Sequence, residues 1–324
     1  MQLRFIAYAL SGLVMITVPA LAQPHPLRGP QPSGGNVRPD QPVRPEVPTL
    51  VPRIRQLPAE QPPAPPQPPP PPFTLTPQEE AQVDRVLNQW EERNRDVKTF
   101  DCQFHRWIYD LVFNPPAPNQ PPQPKYSELG VIKYAAPDRG LFRVDRTEKD
   151  GKEVPIEYAR AEHWVSDGKS IFEFNPAKKQ LIVHTLPPEL QGKAIADTPL
   201  PFLFGADAQK LRQRYFLRIV TPPDVKDQIW LEAYPRFQQD AANFHHARFI
   251  ITTQGMSPFA LQLVQPNGKD YTSYQFYKIV VNDKFRLFQG DPFRPFTPLG
   301  WKKIVEEAPP ATQQARIPPN GGQR

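Results

Sequence analysis

The chain has 324 residues, 46 of them proline and one cysteine, with a formal charge of +6. A single cysteine excludes an internal disulfide framework. Most of the positive excess sits near the termini: residues 73–308 hold 31 Lys and Arg against 30 Asp and Glu. That balance excludes the clustered basic footprint of a nucleic-acid binder.

The N-terminus reads as an export leader. Arg4 supplies a positive n-region, Phe5 to Val18 forms an uncharged and largely apolar run, and Ala20-Leu21-Ala22 is a small-x-small cleavage site after Pro19. These are the three parts of a secretory signal, so residues 1–22 are expected to be removed, leaving Gln23 first. The run is shorter than the roughly 20 apolar residues a spanning helix needs. No cysteine follows the cleavage site to carry a lipid anchor, and no later stretch reads as a membrane span. The expected location is periplasmic or extracellular.

Residues 23–72 contain 19 prolines and no aromatic residue. Such a segment has too little apolar surface to offset its ordering entropy and is expected to be a disordered spacer. The run Pro68 to Pro72 favours polyproline II. Residues 309–324 are polar and proline-bearing and are expected to be a disordered tail.

The folded region, 73–308, opens with a helix. Thr76 is placed to cap it, Pro77 suits its first position, and Glu79 and Glu80 suit the positive end of its dipole. Val83, Val86, Leu87 and Trp90 recur at three- and four-residue steps and give it one apolar face.

After the helix the apolar period changes to two. Phe100, Cys102, Phe104 and Ile108 alternate with polar residues, and Cys102 reads as a small buried hydrophobe. Residues 114–124 carry six prolines and predict a loop. Strands are predicted at 130–134, 141–146, 162–166, 170–174 and 179–186, with Asp167-Gly168 as a hairpin turn. A second run is predicted at 215–221, 228–234, 245–252, 259–265 and 271–280, with Asn267-Gly268 turning the last pair. Short helical pieces are expected near 206–214 and 236–243. Strands joined by short turns imply a mainly β, α+β fold built on a curved antiparallel sheet.

Enzyme motifs are absent at the residues that most suggest them. Gly168-Lys169-Ser170 lacks the earlier glycine of a phosphate loop, and Gly255-Met256-Ser257-Pro258-Phe259 lacks the last glycine of a nucleophile elbow. His245-His246 lies at a strand start, where neighbouring side chains point to opposite faces. No zinc-type spacing is present. The expectation is a non-enzymatic protein without a cofactor or metal.

Trp164 to Pro176, reading WVSDGKSIFEFNP, resembles the central hairpin of the LolA-type outer-membrane lipoprotein carriers. The strand Gly130 to Tyr134 before a proline turn, the segment Asp197 to Phe204 and the segment Phe296 to Gly300 are similar to further pieces of those carriers, in the same order. Glu189 to Ala194 and Leu231 to Arg236 also resemble a planctomycete-type uncharacterised exported domain.

The resemblance implies an unclosed β-barrel covered by the N-terminal helix and a short helical plug, with an inner face that takes lipid or lipoprotein acyl chains. By position it implies inward residues Ile132, Tyr134, Phe142, Val144, Trp164, Phe172 and Phe174, with Leu200, Phe202, Leu203 and Phe204 in the plug. Lys133, Arg143 and Glu173 fall between them and are expected to face outward. The carriers have a basic residue before the turn proline, where this chain has Ala136. Two functions stay open: a carrier or binder of an apolar ligand, and a structural, sensing or protein-interaction domain of the cell envelope without a small ligand.

Overall fold

The computed structural model describes residues 70–192, 207–283 and 290–306. The leader, residues 23–69 of the spacer, the tail and the plug residues Leu200, Phe202, Leu203 and Phe204 lie outside the described residues.

Helix α1 (Pro77–Asn94) starts as its sequence dictates. The Thr76 Oγ1 accepts from the Glu79 N–H, and the Glu79 carboxylate accepts from the Thr76 N–H at 2.7 Å, a reciprocal capping box. Its buried side chains are Val83, Val86, Leu87 and Trp90. The Trp90 indole stacks on Phe249 with ring centroids 4.9 Å apart. A second helix, α2 (Ala208–Arg214), is capped by Asp207 and is tied to α1 by Arg212 against Glu80 and Asp84, both at 2.7 Å.

The strands are β1 (Thr99–Tyr109), β2 (Tyr126–Ala135), β3 (Arg139–Lys149), β4 (Lys152–Pro155), β5 (His163–Ser166), β6 (Ser170–Asn175) and β7 (Gln180–Thr185). After α2 come β8 (Tyr215–Ile219), β9 (Gln228–Pro235), a one-turn helix α3 (Gln238–Ala241), β10 (His246–Thr252), β11 (Pro258–Val264), β12 (Tyr271–Val281) and β13 (Lys302–Glu306). They form one 13-stranded sheet in the order β13-β7-β6-β5-β3-β2-β1-β12-β11-β10-β9-β8, with β4 on β3. Among the described residues every pairing is antiparallel except β13 with β7. The two runs are joined by β1 against β12, and β13 and β8 do not meet, so the curved sheet is unclosed. The predicted mainly β class with covering helices is the observed one, while β4 and β13 were not predicted.

Cross-strand register assigns the two faces. On the helix-covered face Phe100, Cys102 and Phe104 of β1 lie opposite Tyr134, Ile132 and Gly130 of β2. Phe104, Phe142 and Trp164 are stacked in sequence, with centroids 5.0 and 5.7 Å apart. Gly130 is required here: a Cβ would lie 2.1 Å from the Arg143 carbonyl and 2.5 Å from the Phe104 ring. Cys102 is buried as expected, and burial raises its thiol pKa.

Phe172 and Phe174 are not on that face. Four residues separate the paired Ser166 and Ile171, so even-numbered positions of β5 face with odd-numbered positions of β6. Trp164 therefore lies opposite Glu173, and Val165 opposite Phe172. The turn sets this register: the Asp167 carboxylate accepts from the Lys169 and Ser170 N–H groups, both at 2.8 Å, with Gly168 at φ 90°. Phe174 joins Ala135, Leu141, Val165, Leu181, Val183 and Phe293 in a second core on the outer face, with Phe172 packed against it. Glu173, expected outward, is on the helix-covered face, whereas Lys133 and Arg143 are outward as expected.

Candidate functional site

Sheet irregularity creates a cavity. Strand β3 is paired to β5 only from Gly140 to Arg143 and to β4 only from Arg146, so the ladder has a gap around Val144 and Asp145. The chain crosses this gap as the segment 156–162, held by the Val144 N–H to the Glu162 carbonyl and the Ile156 N–H to the Asp145 carbonyl. Over the adjoining outer face runs the segment 291–301. Its Phe293 is buried under Arg139, whose guanidinium lies 5.2 Å from the ring centroid. Its Trp301 meets Phe174 edge-on at 6.4 Å.

Between sheet and segment lies a cavity of about 660 Å³, within the usual size range of small-molecule sites. Its floor is Val131, Leu141, Val165 and Phe174, which register places on one face. Its roof includes Pro292, Pro295, Phe296, Pro298 and Trp301. Its charged margin is largely paired: Lys133 with Asp101 at 2.8 Å, Arg143 with Asp145 at 2.5 Å, and Asp291 with Arg139 at 3.3 Å.

The His163 imidazole lies flat on the Phe174 ring, centroids 4.2 Å apart and planes 9° apart. Burial first, then the Arg143 charge, pushes its pKa down to about 4, so the ring is neutral at neutral pH.

Glu162 reaches the cavity from a buried ionic cluster. Arg106 Nη2 donates to Glu162 Oε1 at 2.8 Å and to Glu128, and Arg160 donates to the other Glu128 oxygen. Glu128 is fully buried and Arg106 nearly so. Burial raises the Glu162 pKa against the lowering effect of Arg106. Tyr274, whose ring lies 6.0 Å from the Arg106 guanidinium, has its hydroxyl pKa pushed up to about 12 by burial.

Of the residues expected to hold a ligand, Ile132, Phe142, Val144 and Trp164 are buried together on the helix-covered face, with Tyr134 packed at its border. Val144 also reaches the cavity through the ladder gap, and Phe174 is in its floor. Phe172 packs beside the floor. His163, Leu141 and Val165 were missed, although they occupy the alternate positions left over once Trp164 and Phe142 are assigned inward.

The two neighbouring histidines behave differently from strand alternation. His245 precedes β10, so strand alternation does not fix its ring, and the His245 and His246 Nδ1 atoms are 2.8 Å apart. Among the described residues no group of three or more His, Cys, Asp or Glu is placed to hold a metal ion. Ser127 Oγ lies 2.7 Å from His105 Nε2 and 2.9 Å from Glu148 Oε2. Both neighbours meet the same hydroxyl, so the acid does not orient the imidazole through its other nitrogen as a relay requires.

No family model matches the chain, and no curated protein does. Among solved structures it is similar to an uncharacterized conserved protein from Thermus thermophilus, at 11% identity over 70% of this chain and 99% of that one, TM-score 0.38. It is similar to a LolA superfamily protein from Nitrosomonas europaea, at 10% identity over 65% and 99%, TM-score 0.31. It is also similar to the Pseudomonas aeruginosa MucA/MucB complex structure, at 16% identity over 62% of this chain and 58% of that one, TM-score 0.32. At such scores these likenesses carry no ligand, partner or chemistry over to this chain. Among the described residues no helix is long and apolar enough to cross a membrane.

Proposed function

We propose that this is an exported, non-enzymatic protein that binds an apolar, acyl-type ligand in the cavity between the outer face of β2, β3, β5 and β6 and the segment 291–301. The observation that carries the reading is the cavity itself, about 660 Å³ with an apolar floor and a proline- and aromatic-rich roof. Each methylene removed from water there contributes roughly 0.8 kcal/mol. The hairpin resemblance to lipoprotein carriers supports the ligand class, and the leader supports export. The helix-covered face, where Ile132, Phe142 and Trp164 are packed under α1, serves as structural core in this reading.

The test is organic extraction and mass spectrometry of the natively purified chain, with titration by a neutral fluorescent lipid probe. Ala161→Trp, which adds bulk to the cavity wall, is expected to abolish probe binding while leaving the melting temperature within a few degrees. A wild-type chain with no co-purifying lipid and no probe binding overturns the reading.

A second reading, an interaction domain of the cell envelope, is favoured by one feature. Phe296, Leu299 and Val305 are exposed apolar residues along the roof and the edge strand β13, and exposed edges are templates for pairing. Loss of a cross-linked envelope partner in Leu299→Asp, with probe binding intact, would select it.

A further inference from the structure

The cavity margin specifies more than apolarity. The charged side chains lining it are three cations, Lys133, Arg143 and Arg294, and three anions, Asp145, Glu162 and Asp291. Five of these six are held in ion pairs: Lys133 with Asp101, Arg143 with Asp145, Glu162 with Arg106, and Asp291 with Arg139. The Lys133, Arg143 and Asp291 pairs are partly solvent-exposed, so a charged headgroup there competes with partners and water already in place and gains little. The sixth, Arg294, is exposed on the roof.

While the Tyr158 hydroxyl, also in the lining, belongs to an exposed side chain, the margin leaves His163 available as a polar group beside the floor. Among the described residues its ring has no hydrogen-bond partner, and it is held flat between the floor and the margin by its stack on Phe174. Burial first, then the neighbouring Arg143, keep it uncharged against the opposing effect of Asp145. A neutral imidazole presents one N–H donor and one acceptor nitrogen. It therefore complements a dipole, not a charge.

We infer that the ligand is an uncharged amphiphile, an apolar chain ending in an ester, amide or hydroxyl group, with that polar end hydrogen-bonded to His163. The inference rests on the reading of the cavity as an apolar-ligand site and names its ligand class. An ester or amide oxygen accepts from the imidazole N–H, and an amide or hydroxyl donates to the bare nitrogen. Among the described residues, a free carboxylate meets one lining cation outside these pairs, Arg294, which is solvent-exposed on the roof.

The experiment is displacement of Nile red from the purified mature chain at pH 7.5 by oleyl alcohol, oleamide, methyl oleate and oleate, each below its micelle-forming concentration. The three uncharged compounds are expected to displace the dye at concentrations at least about tenfold lower than oleate. His163→Phe should weaken oleamide and oleyl alcohol about tenfold and leave 1-octadecene unchanged. His163→Gln, which keeps a donor and an acceptor, should restore most of the difference and guards against a folding artefact. Oleate binding as tightly as oleamide overturns the inference and places an anionic head on the margin, the more so if Arg294→Ala weakens it. Equal displacement by all compounds in wild type and His163→Phe also overturns it, leaving an unselective apolar site. If Nile red does not bind and no lipid co-purifies, the cavity reading itself fails and the inference falls with it.

Discussion

Arg106 donates from one nitrogen to both Glu128 and Glu162 and thereby joins β2 to the segment that enters β5, beneath the stacked rings of the helix-covered face. The guanidinium also lies 5.8 Å from the Phe142 ring centroid and 6.0 Å from that of Tyr274, so charge and aromatic surface are shared in one place. Removing one member of such a cluster is far costlier than its net worth, because the remaining charges stay buried. Arg106→Met is expected to lower stability by about 3–5 kcal/mol at pH 8. The loss should shrink on acidification. Glu162 already has its pKa raised by burial, and without Arg106 it rises further. A carboxyl whose folded pKa exceeds its unfolded one stabilises the fold at low pH and loses that contribution as pH rises through the folded value. Urea midpoints at pH 5.5 and 8 test this, and coincident variant and wild-type midpoints at pH 8 would show that the cluster braces nothing.

His163 gives the opposite pH dependence. Its pKa is 6.5 ordinarily and about 4 in the fold, so the folded protein binds its proton later than the unfolded chain does. Its contribution is complete above pH 6.5 and is lost as pH falls from 6.5 towards 4. At 1.36 kcal/mol per pKa unit the change is about 3 kcal/mol at most. His105 and His246, also lowered by burial, act in the same sense, while His184, raised by Glu173 and Glu306, acts in the other. The difference between wild type and His163→Phe isolates the one residue. Melting temperatures of the two should converge as pH rises to 7.5 and separate below pH 6, with the variant higher. Parallel curves would mean that His163 is not buried.

Gly130 should tolerate no side chain. A methyl group there meets both a carbonyl oxygen and the Phe104 ring, and neither is the flexible end of a side chain. Gly130→Ala is expected to cost about 3 kcal/mol or more, at the upper end of overpacking effects. Relief by the double change with Phe104→Leu would assign the clash to the ring. An unchanged midpoint for Gly130→Ala would refute the close approach of β1 and β2.

Much of the architecture is legible in the sequence because the local signals agree with one another. The Thr76 cap with Pro77 behind it, the period-two runs and the Asp167-Gly168 turn each name an element that forms. The faces of β6 were not legible by counting alternate positions from Trp164. Alternation holds within a strand, but only the turn fixes the register between strands, and one residue of register exchanges Phe172 and Glu173 between faces. The cavity was hidden for a related reason. It depends on where β5 ends along β3, and Val144 bears no local mark of the gap. Strand β13 has the sequence Lys302 to Glu306, mostly charged and exposed, and is recruited by pairing with β7 and not by a hydrophobic pattern.

Export and the spacer are testable together. Intact mass of the secreted or periplasmic protein is expected to begin at Gln23, and deletion of residues 23–72 is expected to leave the melting temperature of the remaining domain unchanged within about one degree. The reason is compositional: without aromatic residues the segment has little to pack. Retention of residues 1–22 would refute the leader, and a fall of several degrees would show that the spacer docks on the fold.

Phe142 and Phe174 separate structural core from ligand site. Phe142 is fully buried between Phe104 and Trp164 on the helix-covered face. Phe174 belongs to the outer core but also forms cavity floor and carries the His163 ring. Phe142→Ala is expected to cost about 3–5 kcal/mol, the usual range for truncating a buried aromatic, with probe affinity unchanged at temperatures where the variant is folded. Phe174→Ala is expected to cost less, since it already borders empty volume, but to weaken probe binding about tenfold or more by opening the floor and releasing His163. Denaturant titration gives the first quantity and probe titration the second. If Phe142→Ala abolishes binding while Phe174→Ala does not, the ligand lies on the helix-covered face, as in the arrangement implied by the carrier resemblance, and the outer cavity is not the site.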